Sequence, residues 1–167
     1  MDVVDETDKI LYQTSLEECK TKGLLHRSVA VFFLNLQNEI LLQQRSMEDD
    51  WLPGKWTVSS TGHVKAGEDP TKASIRELQE ELGILADPTF LFKELLSKIH
   101  WSNLAEYEIA YVFEARSDSK IKIDSEEVEQ VKFMSKAECR SFVVERPEDL
   151  TPDAVILLQK YLHGGYV

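Results

Sequence analysis

The stretch GHVKAGEDPTKASIRELQEELGI, residues 62–84, decides how the rest of the chain is read. Asp69 is an N-cap residue, Pro70 suits a first helical position, and Gly83 is placed to end a helix. The spacing therefore predicts a helix over about 70–82. At roughly 100° per residue, Ile75, Leu78 and Leu82 fall on one stripe and Glu77, Glu80 and Glu81 on the opposite side. The expected arrangement docks the aliphatic stripe on a sheet and presents three carboxylates away from it. That cluster opposes the helix that carries it. Like charges three or four residues apart repel by about 0.2–0.5 kcal/mol. In the last turn, where Glu80 and Glu81 lie, the helix dipole disfavours anions by roughly 0.3–1 kcal/mol. Only Arg76, four residues before Glu80, offsets this locally. Clustered carboxylate oxygens suit a hard divalent cation, Mg²⁺ or Mn²⁺, and a bound cation is the simplest compensation. Gly62 and Gly67 permit tight turns and close backbone approach ahead of the helix, and Glu68 can fold back onto the same site.

The bulk properties narrow the setting. A chain of 167 residues can bury one sizeable core but not two. Hydrophobic residues at 43% and charged residues at 29% are ordinary for a soluble globular protein. A net charge of −11, from 30 acids against 19 bases, argues against a nucleic acid polymer or an anionic membrane as partner. It leaves room for a small phosphorylated ligand if positive charge is supplied locally. Cys19 and Cys139 are far apart and lack CxxC spacing, so two reduced thiols in a cytoplasmic protein are expected. The opening MDVVDETDKI is acidic and does not read as a signal peptide, and no apolar run approaches the roughly 18 residues a membrane span needs.

Around the acidic helix the chain mixes strands and helices. A short strand and a helical turn are expected before residue 25. SVAVFFLN (28–35) and EILLQQR (39–45) read as strands joined in a hairpin at Gln37-Asn38. WLPGKW (51–56) is a loop at Pro53-Gly54, and WTVSSTG continues as a strand into Gly62. EYEIAYVFEAR (106–116) and VEQVKFM (128–134) are further strands. Ser135 with Glu138 makes a capping box for a helix to about Glu145. Thr151-Pro152 opens a last helix that ends before Gly164-Gly165. Hairpins without strict βαβ alternation predict a mixed sheet with helices on both faces, an α/β (α+β) fold.

The 62–84 stretch resembles the signature of the Nudix hydrolases, Gx5Ex7REUxEExGU with U aliphatic. Gly62, Glu68, Arg76, Glu77, Leu78, Glu80, Glu81, Gly83 and Ile84 fill every specified position. The resemblance implies an α/β/α sandwich over a single domain, 1–167, and Mg²⁺- or Mn²⁺-dependent hydrolysis of a nucleoside diphosphate derivative or similar small phosphorylated metabolite. By that analogy Glu77, Glu80 and Glu81 are metal ligands, Arg76 orients a carboxylate and Glu68 supports the site. Glu81, Glu77 and a downstream glutamate, Glu126, Glu127 or Glu129, are all open as general base. Dimers are common among such domains, so a homodimer is compatible with the resemblance.

A second likeness runs along most of the chain. LLHRSVAVFFLN, LLQQRS, PGKWT, the Gly-His pair and EYE look like isopentenyl-diphosphate isomerase, a relative with the same fold. Those isomerases bind a metal through histidines and two glutamates, positions matched by His26, His63, Glu106 and Glu108. Residues two apart on a strand share a face, so Glu106 and Glu108 could converge on one ligand. Thr61, however, stands where the isomerases need a protonating cysteine, and Cys19 and Cys139 fall in distant segments. The isomerases also tend to carry a lysine before the Pro-Gly turn, where this chain has Glu48, Asp49 and Asp50. The expectation is therefore a hydrolase of the isomerase-like branch; the alternatives are the isomerase itself or a catalytically silent metabolite-binding module. Arg27, Arg45, Lys55 and Lys65 are candidate phosphate contacts. Trp51, Trp56, Trp101 and Tyr107 could stack on a base or fill the core.

Overall fold

In a computed structural model, residues 1–164 are described. Along the chain these comprise β1 (Asp2–Val4), β2 (Ile10–Gln13), α1 (Leu16–Lys22), β3 (His26–Leu34), β4 (Ile40–Arg45), β5 (Trp56–Thr57) and β6 (Ser60–His63). There follow α2 (Pro70–Leu82), β7 (Thr89–Leu95), β8 (Ile99–Trp101), β9 (Leu104–Glu106), β10 (Glu108–Arg116), β11 (Val128–Met134), α3 (Lys136–Glu145) and α4 (Pro152–His163).

β3 organises the sheet. It pairs in parallel with β10 along its whole length, from Glu108↔His26 to Arg116↔Leu34. Its other edge is shared in turn by β1 at His26, β6 at Ser28–Val31 and β4 at Leu34. Because successive side chains alternate across a strand, Val29, Val31 and Phe33 join the core beneath α2. Ala30, Phe32 and Leu34 join the core beneath α3 and α4. Both faces of β3 are thus covered, which explains its unbroken apolar sequence. The result is an α/β/α sandwich around a mixed sheet, as the sequence predicts.

Ser59 joins the sheet where β3 passes from β6 to β4. Its hydroxyl accepts from the Phe33 N–H (2.7 Å) and donates to the Leu41 carbonyl (2.6 Å). The expected strand over WTVSSTG is therefore two short strands, β5 and β6, separated by this bridge.

Local signals placed the helix ends well, whereas β7 and β8 had no counterpart in the sequence reading. Asp69 accepts from Thr71 N and Lys72 N, and Gly83 closes α2 with φ +66°. The capping box of Ser135 and Glu138 is formed. α4 begins at Pro152 as expected, although the Thr151 side chain makes no cap hydrogen bond. Gly165 lies outside the described residues. Among the described residues, no helix is long and apolar enough to cross a membrane.

Two expectations need correction. The carboxylates of α2 do not sit on a face opposite the core: Glu77 and Glu81 are buried beside Leu78 and Leu82, while Ile75 is only half-buried and Glu80 is exposed. The reason is Gly62. A Cβ there would lie 2.1 Å from Glu77 Cδ, so the missing side chain is the space the carboxylate occupies. The second concerns 106–116, which is not one strand. Glu106 ends β9, whose partner is β8, and Glu108 starts β10.

Candidate active site

Cross-strand pairing sorts the site residues by face. Ser28 pairs with His63 and Ala30 with Thr61, so these point toward α4, as does Glu108, paired with His26. Gly62, between Thr61 and His63, turns to α2. A cavity of about 470 Å³ at this end of the sheet is lined from both sides, by Glu77, Glu80 and Glu81 and by His63, Glu106 and Glu108.

On the α2 side, Arg76 gathers the acids. Its guanidinium donates to both oxygens of Glu68 (2.9 Å each), to Glu77 Oε1 (2.6 Å) and to Glu80 Oε2 (3.0 Å). It also donates to the His63 carbonyl (3.1 Å), tying helix to sheet. Glu68 further accepts from Lys65 N (2.9 Å), which fixes the loop before α2. Glu68 is thus held against Arg76 and steadies the guanidinium, while Glu77 and Glu81 reach the cavity. Glu81 Oε2 accepts from Gln43 Nε2 (3.1 Å) and from the Thr61 N–H (3.3 Å). Burial, with the neighbouring Glu77 charge, pushes Glu81 up to about 8. Burial also raises Glu77, opposed by Arg76. Two carboxylates lifted in this way lack enough positive charge, and a cation would supply it.

On the α4 side, His26, His63, Glu106 and Glu108 offer ligand atoms all within 4.8 Å of one another. His26 Nε2 lies 3.5 Å from Glu106 and 3.8 Å from Glu108, and His63 Nε2 lies 3.5 Å and 3.4 Å from the same two acids. His26 is fully buried, and its Nδ1 faces the Leu24 carbonyl at 2.8 Å. A carbonyl only accepts, so Nδ1 carries the proton. Burial lowers the His26 pKa to about 4, so the ring is neutral and Nε2 presents a bare lone pair. That nitrogen and Glu106 Oε2 are both buried without a hydrogen-bond partner. Burial and the Glu106 charge push Glu108 up to about 8. Two imidazoles and two carboxylates, two of their atoms unsatisfied, are a donor set that fits a divalent cation.

The remaining candidates separate. Arg45 lines the cavity but donates to the Trp51 carbonyl (2.7 Å) and to Asp49 (2.5 Å). Lys65 and Glu127 line it as well. Arg27 does not. It is engaged by Asp8 (2.6 Å to Oδ1, 2.8 Å to the carbonyl) and lies 3.8 Å from Asp2. Lys55 is turned to the Glu148 carbonyl, away from the cavity. Neither base lines the cavity, where a phosphate contact was expected. Glu126 and Glu129 are exposed and outside the lining, as is Trp101, whereas Trp51 is buried and lines the cavity.

Cys19 is nearer than its sequence position suggests. α1 packs on β9, and burial together with the Glu106 charge raises the thiol, yet Cys19 does not line the cavity. Sequence reasoning missed Lys20, whose Nζ lies 3.2 Å from Glu106 Oε1, and Gln43, which holds Glu81. Gln43 left little trace in the sequence: it follows Ile40–Leu42 and precedes Gln44 and Arg45, and only the fold buries it, at 3% exposure.

The NUDIX domain family model matches residues 24–157. Over 150 residues the chain is 31% identical to an isopentenyl-diphosphate Delta-isomerase of Pectobacterium atrosepticum, covering 89% of this chain and 83% of that one. An uncharacterized Nudix hydrolase of Yersinia pestis is 28% identical over 167 residues, covering 97% and 85%. A crystal structure from Deinococcus radiodurans matches with a TM-score of 0.72 at 21% identity, covering 95% and 96%, a likeness of fold alone.

Proposed function

The chain belongs to the Nudix family, in its isopentenyl-diphosphate isomerase-like branch, and from that premise we propose that it hydrolyses a P–O–P bond in a small phosphorylated metabolite with Mg²⁺ or Mn²⁺. The observation that carries this reading is the pair of buried carboxylates, Glu77 and Glu81, facing a cavity while Arg76 fixes the helix that bears them. Glu77 and Glu81 would hold the ion, with Glu80 at the exposed rim. Bound there, a divalent cation supplies charge neutralisation of the diphosphate and a lowered water pKa.

The residues divide the remaining work. Arg76 and Glu68 keep the α2 carboxylates oriented. Gln43 and the Thr61 N–H hold Glu81 Oε2 and so fix the direction of its carboxylate. Glu81, Glu77 and Glu127, all on the cavity wall, are the candidate proton acceptors. His26, His63, Glu106 and Glu108 would hold a second cation beside the first.

Isomerisation is the second reading, favoured by the His–Glu cluster and by the names of the relatives. Against it stand Thr61, a hydroxyl in place of the thiol, and the exclusion of Cys19 from the cavity wall. The test is product detection by mass, with Mg²⁺, over nucleoside triphosphates, dinucleotides, nucleotide sugars and isoprenoid diphosphates. Cleavage of one class supports the hydrolase. Conversion of isopentenyl to dimethylallyl diphosphate would replace it with the isomerase.

A further inference from the structure

Beyond the His–Glu cluster the cavity continues under the start of α4. Its sheet wall is built of small residues, Ser28, Ala30 and Ala110, neighbours across β3 and β10. Its other wall is Thr151, Asp153 and Leu157. Thr151 is only 2% exposed, its Oγ1 has no hydrogen-bond partner, and it does not cap the helix it precedes. Asp153 is the second residue of α4, half-buried on the same wall. Burial holds its carboxyl above the usual range, opposed by the nearby Thr151 hydroxyl, and its charge is felt at Glu108. A buried hydroxyl such as that of Thr151 is normally satisfied, and a wall of alanine and serine leaves room for the group that would do so. A site that only had to enclose a hydrocarbon would not place a carboxylate and an unpaired hydroxyl against it, since both lose their hydration to an apolar guest.

We propose that Ser28, Thr151 and Asp153 form a subsite for the organic group of the substrate, one that takes a polyhydroxylated group, such as a glycerol or sugar moiety, in preference to a prenyl chain. The hydroxyls of such a group donate to Asp153 and exchange hydrogen bonds with Thr151 and Ser28, while Leu157 packs on its carbon face. The inference rests on the diphosphate reading of the neighbouring carboxylates, because the phosphates would anchor the group in this direction. It also accounts for the chain's departure from its isomerase relatives on chemical grounds: a polar pocket end does not select a branched alkene.

Binding can be tested without turnover. Two non-cleavable probes, the 2,3-dihydroxypropyl and 3-methylbutyl esters of methylenebisphosphonate, are titrated calorimetrically into the full chain with Mg²⁺. The diol ester is expected to bind about 10-fold tighter or more, because a site built for hydroxyls rejects an analogue lacking them. Thr151→Val, or Asp153→Asn if the first variant melts early, should cut that preference at least about threefold. Equal binding, tighter binding of the alkyl ester, or a preference that survives both substitutions overturns the proposal. Binding of neither ester overturns it too, while the hydrolase reading is judged separately by turnover of the substrate panel.

Discussion

Replacing Gly62 with alanine tests whether the placement of Glu77 depends on one missing side chain. The new Cβ would stand 2.1 Å from Glu77 Cδ and Oε1, where ordinary contact begins at 3.4 Å. The carboxyl must therefore retreat by at least 1.3 Å, the difference between those values. Such a shift breaks the 2.6 Å bond to Arg76 Nη1 and withdraws an oxygen from the cavity. The obstacle is the far end of a flexible side chain, so the fold should survive. A loss of about 1–2 kcal/mol is expected, from one charge-assisted hydrogen bond and local repacking. Activity should suffer more. A drop of about 100-fold in kcat/KM, equivalent to about 2.7 kcal/mol, is expected for a displaced metal ligand. The assays are urea unfolding, steady-state turnover of the best panel substrate, and Mn²⁺ titration followed by electron paramagnetic resonance. Glu77→Gln supplies the control. If Gly62→Ala acts through Glu77, the double variant is scarcely worse than either single one. Full activity in Gly62→Ala, or complete additivity with Glu77→Gln, would refute the reasoning.

Three other perturbations probe separate parts of the account. His26→Gln removes the bare Nε2 and should weaken Mn²⁺ binding about 10–100-fold in the same titration; unchanged affinity would remove His26 from the ion site. Ser59→Ala strands the buried Phe33 N–H and Leu41 carbonyl, so unfolding should become easier by about 2–4 kcal/mol, read by urea denaturation. Asp8→Asn loosens the contacts with Arg27, Lys93 and Tyr111. Burial opposes ionisation of Asp8, but Lys93, Tyr111 and Arg27 outweigh it and hold its pKa below 3.8. Its stabilising contribution is thus present above 3.8 and lost as pH falls through the lower folded-state value. The variant should cost about 1–2 kcal/mol at pH 7 and progressively less below pH 4; a cost independent of pH would sink this.

What the sequence disclosed followed the range of the interactions. The bounds of α2 were legible because Asp69, Pro70 and Gly83 act on their own neighbours. Which way Glu77 and Glu81 face was not, since the space they fill is made by Gly62, a residue of another element. A helical wheel finds the apolar stripe but cannot know that a strand opposite offers a vacancy instead of a side chain. Arg27 and Lys55 looked available because their partners are remote in sequence: Asp8 reaches Arg27 through the sheet, and the Glu148 carbonyl meets Lys55 from 93 residues away. The likeness to the isomerases did point to His26, His63, Glu106 and Glu108, which the structure brings together even though the strand expected to carry Glu106 and Glu108 breaks at Tyr107. Cys19 shows the opposite error, a residue judged distant that the packing of α1 brings near Glu106.

The most direct test of the central claim is hydrolysis in ¹⁸O-labelled water with Mg²⁺, followed by mass analysis of both phosphorylated products, for the unaltered chain and for Glu81→Gln. The account predicts one ¹⁸O in a single product, loss of turnover on chelation of the metal, and a fall of about 100-fold or more in Glu81→Gln. Turnover that persists in chelator, product without the label, or a Glu81→Gln variant as active as the parent would contradict it.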